Sequence, residues 1–160
     1  MRLTDLIVPR RIKIPLKAST RRKAIAELVD LLAADGVLTS PADVLTAVLG
    51  REDRRSTGIG NGVALPHGKT DAARSLVAAA GRTRRPIDFD SPDGRGVRLI
   101  VLVVGPKADA GPHIQALARI SRLLEPEATR AALLAAGTPE QFHEVLSRHE
   151  NAEAALHAIE

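Results

Sequence analysis

The run Leu99-Ile100-Val101-Leu102-Val103-Val104 is the feature that most constrains how this chain folds. It is far too short to cross a bilayer, and it lacks the polar alternation of a strand with one wet face. It therefore predicts a central strand covered on both sides. The turn signals Pro92-Asp93-Gly94 and Gly96 lead into it. A single sheet built around it, with helices on both faces, is the economical arrangement.

The rest of the chain supplies those elements. Ile12-Lys13-Ile14-Pro15-Leu16 reads as a short strand, with Pro15 favouring an edge. Leu76 to Gly81 reads as another, and Val63-Ala64-Leu65 forms a short apolar piece inside a glycine-rich loop. Ser19 or Thr20 caps a helix with Ile25, Leu28, Val29 and Leu32 on one face, and Gly36 stops it. Ser40-Pro41, with Asp43 completing a capping box, opens a second helix. Its inward face is Val44, Leu45, Val48 and Leu49, and Gly50 lies near its end.

A third helix is predicted from near His113, burying Ile114, Leu117, Ala118, Ser121 and Leu124. A fourth spans Pro126 to Ala136. A fifth opens at Thr138-Pro139-Glu140-Gln141 and turns Phe142, Val145 and Leu146 inward. The helix-free spacing between Val63 and Leu102 admits an antiparallel pair. The expectation is one α/β domain over residues 1–150, a mixed sheet of about five strands with helices on both faces. Residues 151–160 are expected to fray.

Composition narrows the function. The chain has two Phe and no Trp or Tyr, which argues against a nucleic-acid reader that stacks bases on aromatic rings. The absence of Cys excludes disulfides, thiolate catalysis and the usual structural zinc site, and fits a reducing cytoplasm. No signal peptide is read in Met1-Arg2-Leu3-Thr4-Asp5, so a cytoplasmic protein without membrane insertion is expected. The net charge of +4 is concentrated in Arg10, Arg11, Lys13, Lys17, Arg21, Arg22 and Lys23. No DNA- or RNA-binding motif accompanies that charge, so it reads as a solvated strand edge and helix start. A basic nucleic-acid-binding domain ranks last.

The chemistry lies between Ser56 and Thr70. Gly58, Gly60 and Gly62 alternate there, which lets the backbone approach a ligand and turn its N–H groups toward an anion, with Ser56 and Thr57 adding hydroxyls. Pro66 precedes His67 and Gly68 follows, so nothing bulky crowds the imidazole at the point where strand gives way to loop. A P-loop ending in Gly68-Lys69-Thr70 would need glycine at Val63, and so would a dinucleotide fingerprint starting at Gly58.

Neutral histidine is a nucleophile near pH 7, and its phosphoramidate passes a phosphoryl group on without nucleotide or metal. The charge on the moving group needs donors or cations around it. Arg51, at the end of the second helix, and His113, at the start of a later one, are the candidates. His143, His149 and His157 share no ligand face and read as surface residues; no metal site and no cofactor is expected.

Arg51-Glu52, Ser56-Thr57-Gly58-Ile59-Gly60 and Val63-Ala64-Leu65-Pro66-His67-Gly68-Lys69 stand in fixed order. Pro86-Ile87-Asp88-Phe89 and His113-Ile114-Gln115-Ala116-Leu117 follow them. In this the chain resembles the type-two IIA domains of the phosphotransferase system, in the fructose, mannitol and nitrogen-regulatory branches. The resemblance implies that His67 accepts a phosphoryl group from the phosphocarrier protein HPr, or a paralogue, and passes it to a IIB domain of a sugar permease. It further implies that His113 hydrogen-bonds the phosphoryl group, that Arg51 helps bind it, and that no metal takes part. With no fused membrane, IIB or HPr segment, a transport partner is expected to be separate. The alternative is a regulatory protein whose phosphorylation state controls binding to a target. Asn61 within Gly60-Asn61-Gly62 tilts slightly toward the nitrogen-regulatory loop.

Overall fold

A computed structural model describes residues 2–159. Its centre is β6 (Val97–Gly105), which contains the aliphatic run and is buried almost throughout. On one side it pairs antiparallel with β5 (Val77–Ile87). On the other it pairs parallel with β3 (Val63–Ala64) and β4 (His67–Lys69). β1 (Ile12–Leu16) lies parallel to β5 at one edge, and β2 (Gly58–Gly60) lies antiparallel to β3 at the other. The sheet is mixed, as expected, and has six strands rather than about five.

The extra strands come from the glycine-rich segment. It folds as three short strands, because β3 and β4 share β6 as partner with only Leu65-Pro66 between them. His67 therefore begins a strand, opposite Val103, where a loop was expected. Asn61 adopts φ 58°, Gly60 φ 93° and Gly62 φ 77°, the left-handed conformations of the tight β2–β3 turn.

Period-two alternation along β6 sends its side chains to two cores. Leu99, Val101 and Val103 pack with Ala116, Ile120, Leu133, Phe142 and Val145. Ile100, Leu102 and Val104 pack on the other face with Ile25, Leu28, Leu32, Val44 and Val48. The first face is covered by α1 (Leu3–Leu6), α4 (Ala110–Leu123), α5 (Glu127–Ala135) and α6 (Pro139–Ile159), the second by α2 (Arg21–Ala34) and α3 (Pro41–Arg54).

The caps follow the sequence. Thr20 accepts from the Lys23 amide, Ser40 from Asp43, and Thr138 from Gln141. Gly36 adopts φ 73° just after α2. α3 runs past Gly50 to Arg54, a full turn further than the sequence suggested, since glycine lowers helix propensity without forbidding it. Residues 151–159, expected to fray, continue α6 as helix, with mostly exposed side chains over 151–158, and Glu160 lies outside the described residues.

α4 differs most from expectation. Its buried face is His113, Ala116, Ile120 and Leu123, whereas Ile114 is 63% exposed and Ala118 is also exposed. Neighbouring residues sit about 100° apart around a helix, so a shift of one residue turns the expected stripe away from the core.

Most of the amino-terminal charge is neutralised within the fold. Arg10 and Arg11 pair with Asp35, Lys13 with Glu27, Arg21 with Glu52 and Arg22 with Asp53. No helix among the described residues is long and apolar enough to cross a membrane.

Candidate functional site

The register of β4 against β6 sets His67 at the surface end of the sheet, half-buried, while Gly68 turns into the core. A Cβ on Gly68 would lie 3.1 Å from Val48 Cγ2 and 3.2 Å from the Val48 amide nitrogen. Glycine there lets α3 lie close against β4, which brings the end of α3 alongside His67.

His67 Nδ1 lies 2.7 Å from the Leu65 carbonyl oxygen. A carbonyl only accepts, so Nδ1 carries the proton and donates it, and Nε2 keeps its lone pair. Burial pushes the ring below its ordinary pKa of 6.5. The Leu65 contact opposes that shift, Arg51 and Lys69 add to it, and Glu52 works against it. At neutral pH the ring is uncharged and nucleophilic at Nε2.

His113 stands beside it, with ring centroids 5.6 Å apart. It is 2% exposed, and neither Nδ1 nor Nε2 has a hydrogen-bond partner. Its pKa falls to about 4, through burial first and then the proximity of His67 and Lys69. A neutral imidazole with both nitrogens unpartnered is costly to bury unless it serves a ligand, since an orphaned buried polar group costs about 1–3 kcal/mol.

Two adjoining open cavities, of about 930 and 590 Å3, meet at these groups and share His67, Arg51, Arg54, Ile114 and Leu117. Ser56, Thr57 and Gly58 line the larger, Lys69 and His113 the smaller. Arg51 donates to the Arg55 carbonyl at 2.7 Å, which holds its guanidinium near the end of α3. The site is thus cationic at its rim and holds two neutral imidazoles at its base, an arrangement suited to a tetrahedral anion attached to Nε2.

The predicted residues do not all converge. Gly60 and Gly62 lie in the β2–β3 turn and do not line these cavities, and the Asn61 amide donates to the Asp93 carboxylate at 2.9 Å. The Ser56 hydroxyl donates to the Phe89 carbonyl and accepts from the Gly58 amide. Gly58 is required for packing, because a Cβ there would lie 2.2 Å from Ser91 Oγ. Neither His143 nor His149 is a plain surface residue: both are half-buried, with His143 Nε2 near the Thr4 carbonyl and His149 Nδ1 near Thr129 Oγ1.

Two contributors escaped the sequence reading. Arg54, three residues beyond Arg51 and so on the same helical face, lines both cavities. Glu52, 2% exposed, accepts from the Thr57 amide at 3.2 Å and from the Thr57 hydroxyl. It fixes the loop that borders His67. The neighbours Arg51 and Glu52 were visible in the sequence, but not that Arg51 lines the cavities while Glu52 is buried against Thr57.

Comparison with known proteins identifies the family. Residues 5–149 match the family described as phosphoenolpyruvate-dependent sugar phosphotransferase system, EIIA 2. The chain is 35% identical over 147 residues to the nitrogen regulatory protein of Bradyrhizobium diazoefficiens, covering 92% of this chain and 95% of that one. It is 31% identical over 150 residues to the fructose-specific EIIABC component of Bacillus subtilis, covering 94% of this chain but only 24% of that protein. The nitrogen regulatory protein IIA-Ntr of Neisseria meningitidis superposes with TM-score 0.83 at 29% identity, covering 90% of this chain and 98% of that one. A match over nearly the whole length, carried by a six-stranded mixed sheet with helices on both faces, makes this chain a member of the EIIA type-two family of the phosphotransferase system.

Proposed function

We propose that this protein is a phosphohistidine carrier, accepting a phosphoryl group on His67 Nε2 and passing it to a IIB component. The observation that carries this reading is the buried, doubly unpartnered His113 beside an imidazole whose other nitrogen is already engaged.

The proposed step balances without a cofactor. Nε2 attacks phosphorus, the N–P bond of the donor's phosphohistidine breaks, and the electron pair stays with the donor nitrogen. The His67 ring, still holding its Nδ1 proton, becomes cationic, and the Leu65 carbonyl stabilises that proton. His113 donates one N–H to a phosphoryl oxygen, while Arg51 and Arg54 offset its charge. The reverse sequence delivers the group to the acceptor.

Ile59, 44% exposed, and Ile114 flank the cavity and supply an apolar rim on which a protein donor and acceptor can seat. A solved complex of IIA and phosphorylated IIB for mannitol, from Escherichia coli, shares the fold with TM-score 0.75 at 21% identity. Phosphorylated HPr or a paralogue is the proposed donor. A regulatory role, in which phosphorylation of His67 alters binding to a target, uses the same chemistry; the relatives named nitrogen regulatory protein support it as the second reading.

The test is incubation with phosphorylated HPr. A single acid-labile, alkali-stable modification is expected, with a phosphorus NMR shift of Nε2-phosphohistidine, and it should be lost in His67→Ala. Modification that survives this substitution would sink the assignment. Passage of the label to an added IIB domain separates the carrier from a purely regulatory protein.

A further inference from the structure

A third cavity lies where β1 and β5 part. Their parallel pairing runs Ile12–Ala80 and Lys13–Gly81, shifts, and ends at Leu16–Thr83. Past that pair β5 continues unaccompanied on this side, and the gap is a cavity of about 700 Å3 between residues 13–19 and 83–87. It shares no lining residue with the two cavities at His67. Its volume lies within the roughly 300–1,000 Å3 of small-molecule sites.

The lining has two parts. Ile14, Pro15, Leu16, Pro86 and Ile87 give an apolar floor. Lys17, Arg84 and Arg85 are exposed cations on the rim, none with a carboxylate partner among the described residues. No Asp or Glu lines the cavity. The nearby acid, Glu27, is fully engaged: it pairs with Lys13 at 2.9 Å and accepts the amides of Lys17 and Ala18. Those contacts hold its carboxyl below the usual carboxylate range even though its burial opposes the shift.

We propose that this cavity binds a small amphipathic anion, its apolar body on the Ile14, Pro15 and Pro86 surface and its phosphate, sulfonate or carboxylate at Lys17, Arg84 and Arg85. Adjacent arginines suit that role, because a planar guanidinium binds oxyanions through paired N–H groups. Floor and rim together select for both properties: a bare inorganic anion leaves the apolar surface wet, and a neutral apolar ligand leaves the cations unmatched. A second copy docking symmetrically would set cations against cations, which disfavours that occupant.

The test uses the full-length chain and anilinonaphthalene sulfonate, an amphipathic anion, followed by fluorescence and by amide NMR shifts. Perturbations are expected at residues 14–19 and 83–87. Arg84→Gln/Arg85→Gln should weaken binding roughly tenfold or more, and Lys17→Gln should weaken it less. The uncharged analogue phenylnaphthylamine should bind more weakly than the sulfonate. Because all three side chains are exposed, these variants should keep the native circular dichroism and the phosphorylation of His67. Wild-type affinity in the double variant, equal binding of the neutral analogue, or perturbations centred on Ile59 and Ile114 would each overturn the proposal.

Discussion

The imidazoles of His67 and His113 meet edge to face, with their planes inclined at 62°. His67 lies beside β6 in β4, paired with Val103, and His113 comes from the first turn of α4, which packs on the face of the sheet that holds Val103. Burial depresses cation formation at both rings, and nearby positive groups add to it, Arg51 and Lys69 at His67 and the His67 ring and Lys69 at His113. Both rings are therefore neutral at working pH. One offers a lone pair and the other an N–H.

The pH profile of phosphorylation follows from this. The folded pKa of His67 lies below 6.5, and protonation removes the Nε2 lone pair. Single-turnover phosphorylation by a donor whose own titration is corrected for should hold a plateau from neutral pH to below 6.5, then fall as the ring protonates. Rapid-quench rates across pH, with an NMR titration of the His67 ring, check it. An inflection above 6.5 would contradict the site's electrostatics.

His113 makes stability depend on pH. Its folded pKa of about 4 lies below the ordinary 6.5, so the unfolded chain takes the proton first. The stability it contributes is fully present above pH 6.5, is lost as pH falls from there toward 4, and changes no further below. The whole swing is up to about 3 kcal/mol. Urea unfolding at pH 7 and near pH 4 should show His113→Gln with a shallower decline than the wild type. Parallel curves would remove His113 as the cause.

Arg51→Ala should slow phosphoryl transfer while leaving the fold intact, since the side chain's hydrogen bond is to the Arg55 carbonyl near the surface. Loss of one charge-assisted contact costs about 1.5–3 kcal/mol, or roughly 10- to 150-fold in rate. Rapid-quench kinetics beside a melting curve separate the two effects. A rate equal to wild type would pass the role to Arg54.

Glu52→Gln should lower stability by about 1–3 kcal/mol, because the amide keeps one acceptor but turns N–H donors toward the Thr57 amide and the Arg21 guanidinium 3.7 Å away. With its anchor weakened, the segment from Ser56 to Gly58 should move, and phosphorylation should slow. Denaturant unfolding and the transfer rate measure the two together. A stable variant with reduced rate would assign Glu52 to positioning alone.

Much of the architecture was legible from local pattern. The aliphatic run of β6 could only be a doubly covered strand, and the caps at Thr20, Ser40 and Thr138 work through side chains a few residues from the amides they serve. The freedom of His67 between Pro66 and Gly68 was likewise readable. β2 and β4 were not, because strands of three residues are stabilised by their partner rather than by their own composition.

The sequence alone determined the sheet's central strand, the helix starts and an unobstructed imidazole, all properties of residues close together in the chain. The tertiary structure decided that His113 faces His67, that Ile114 stands exposed at the rim, and that Glu52 is buried under Thr57. Helical periodicity says which residues share a face; only the packing of α4 and α3 on the sheet says which face turns inward.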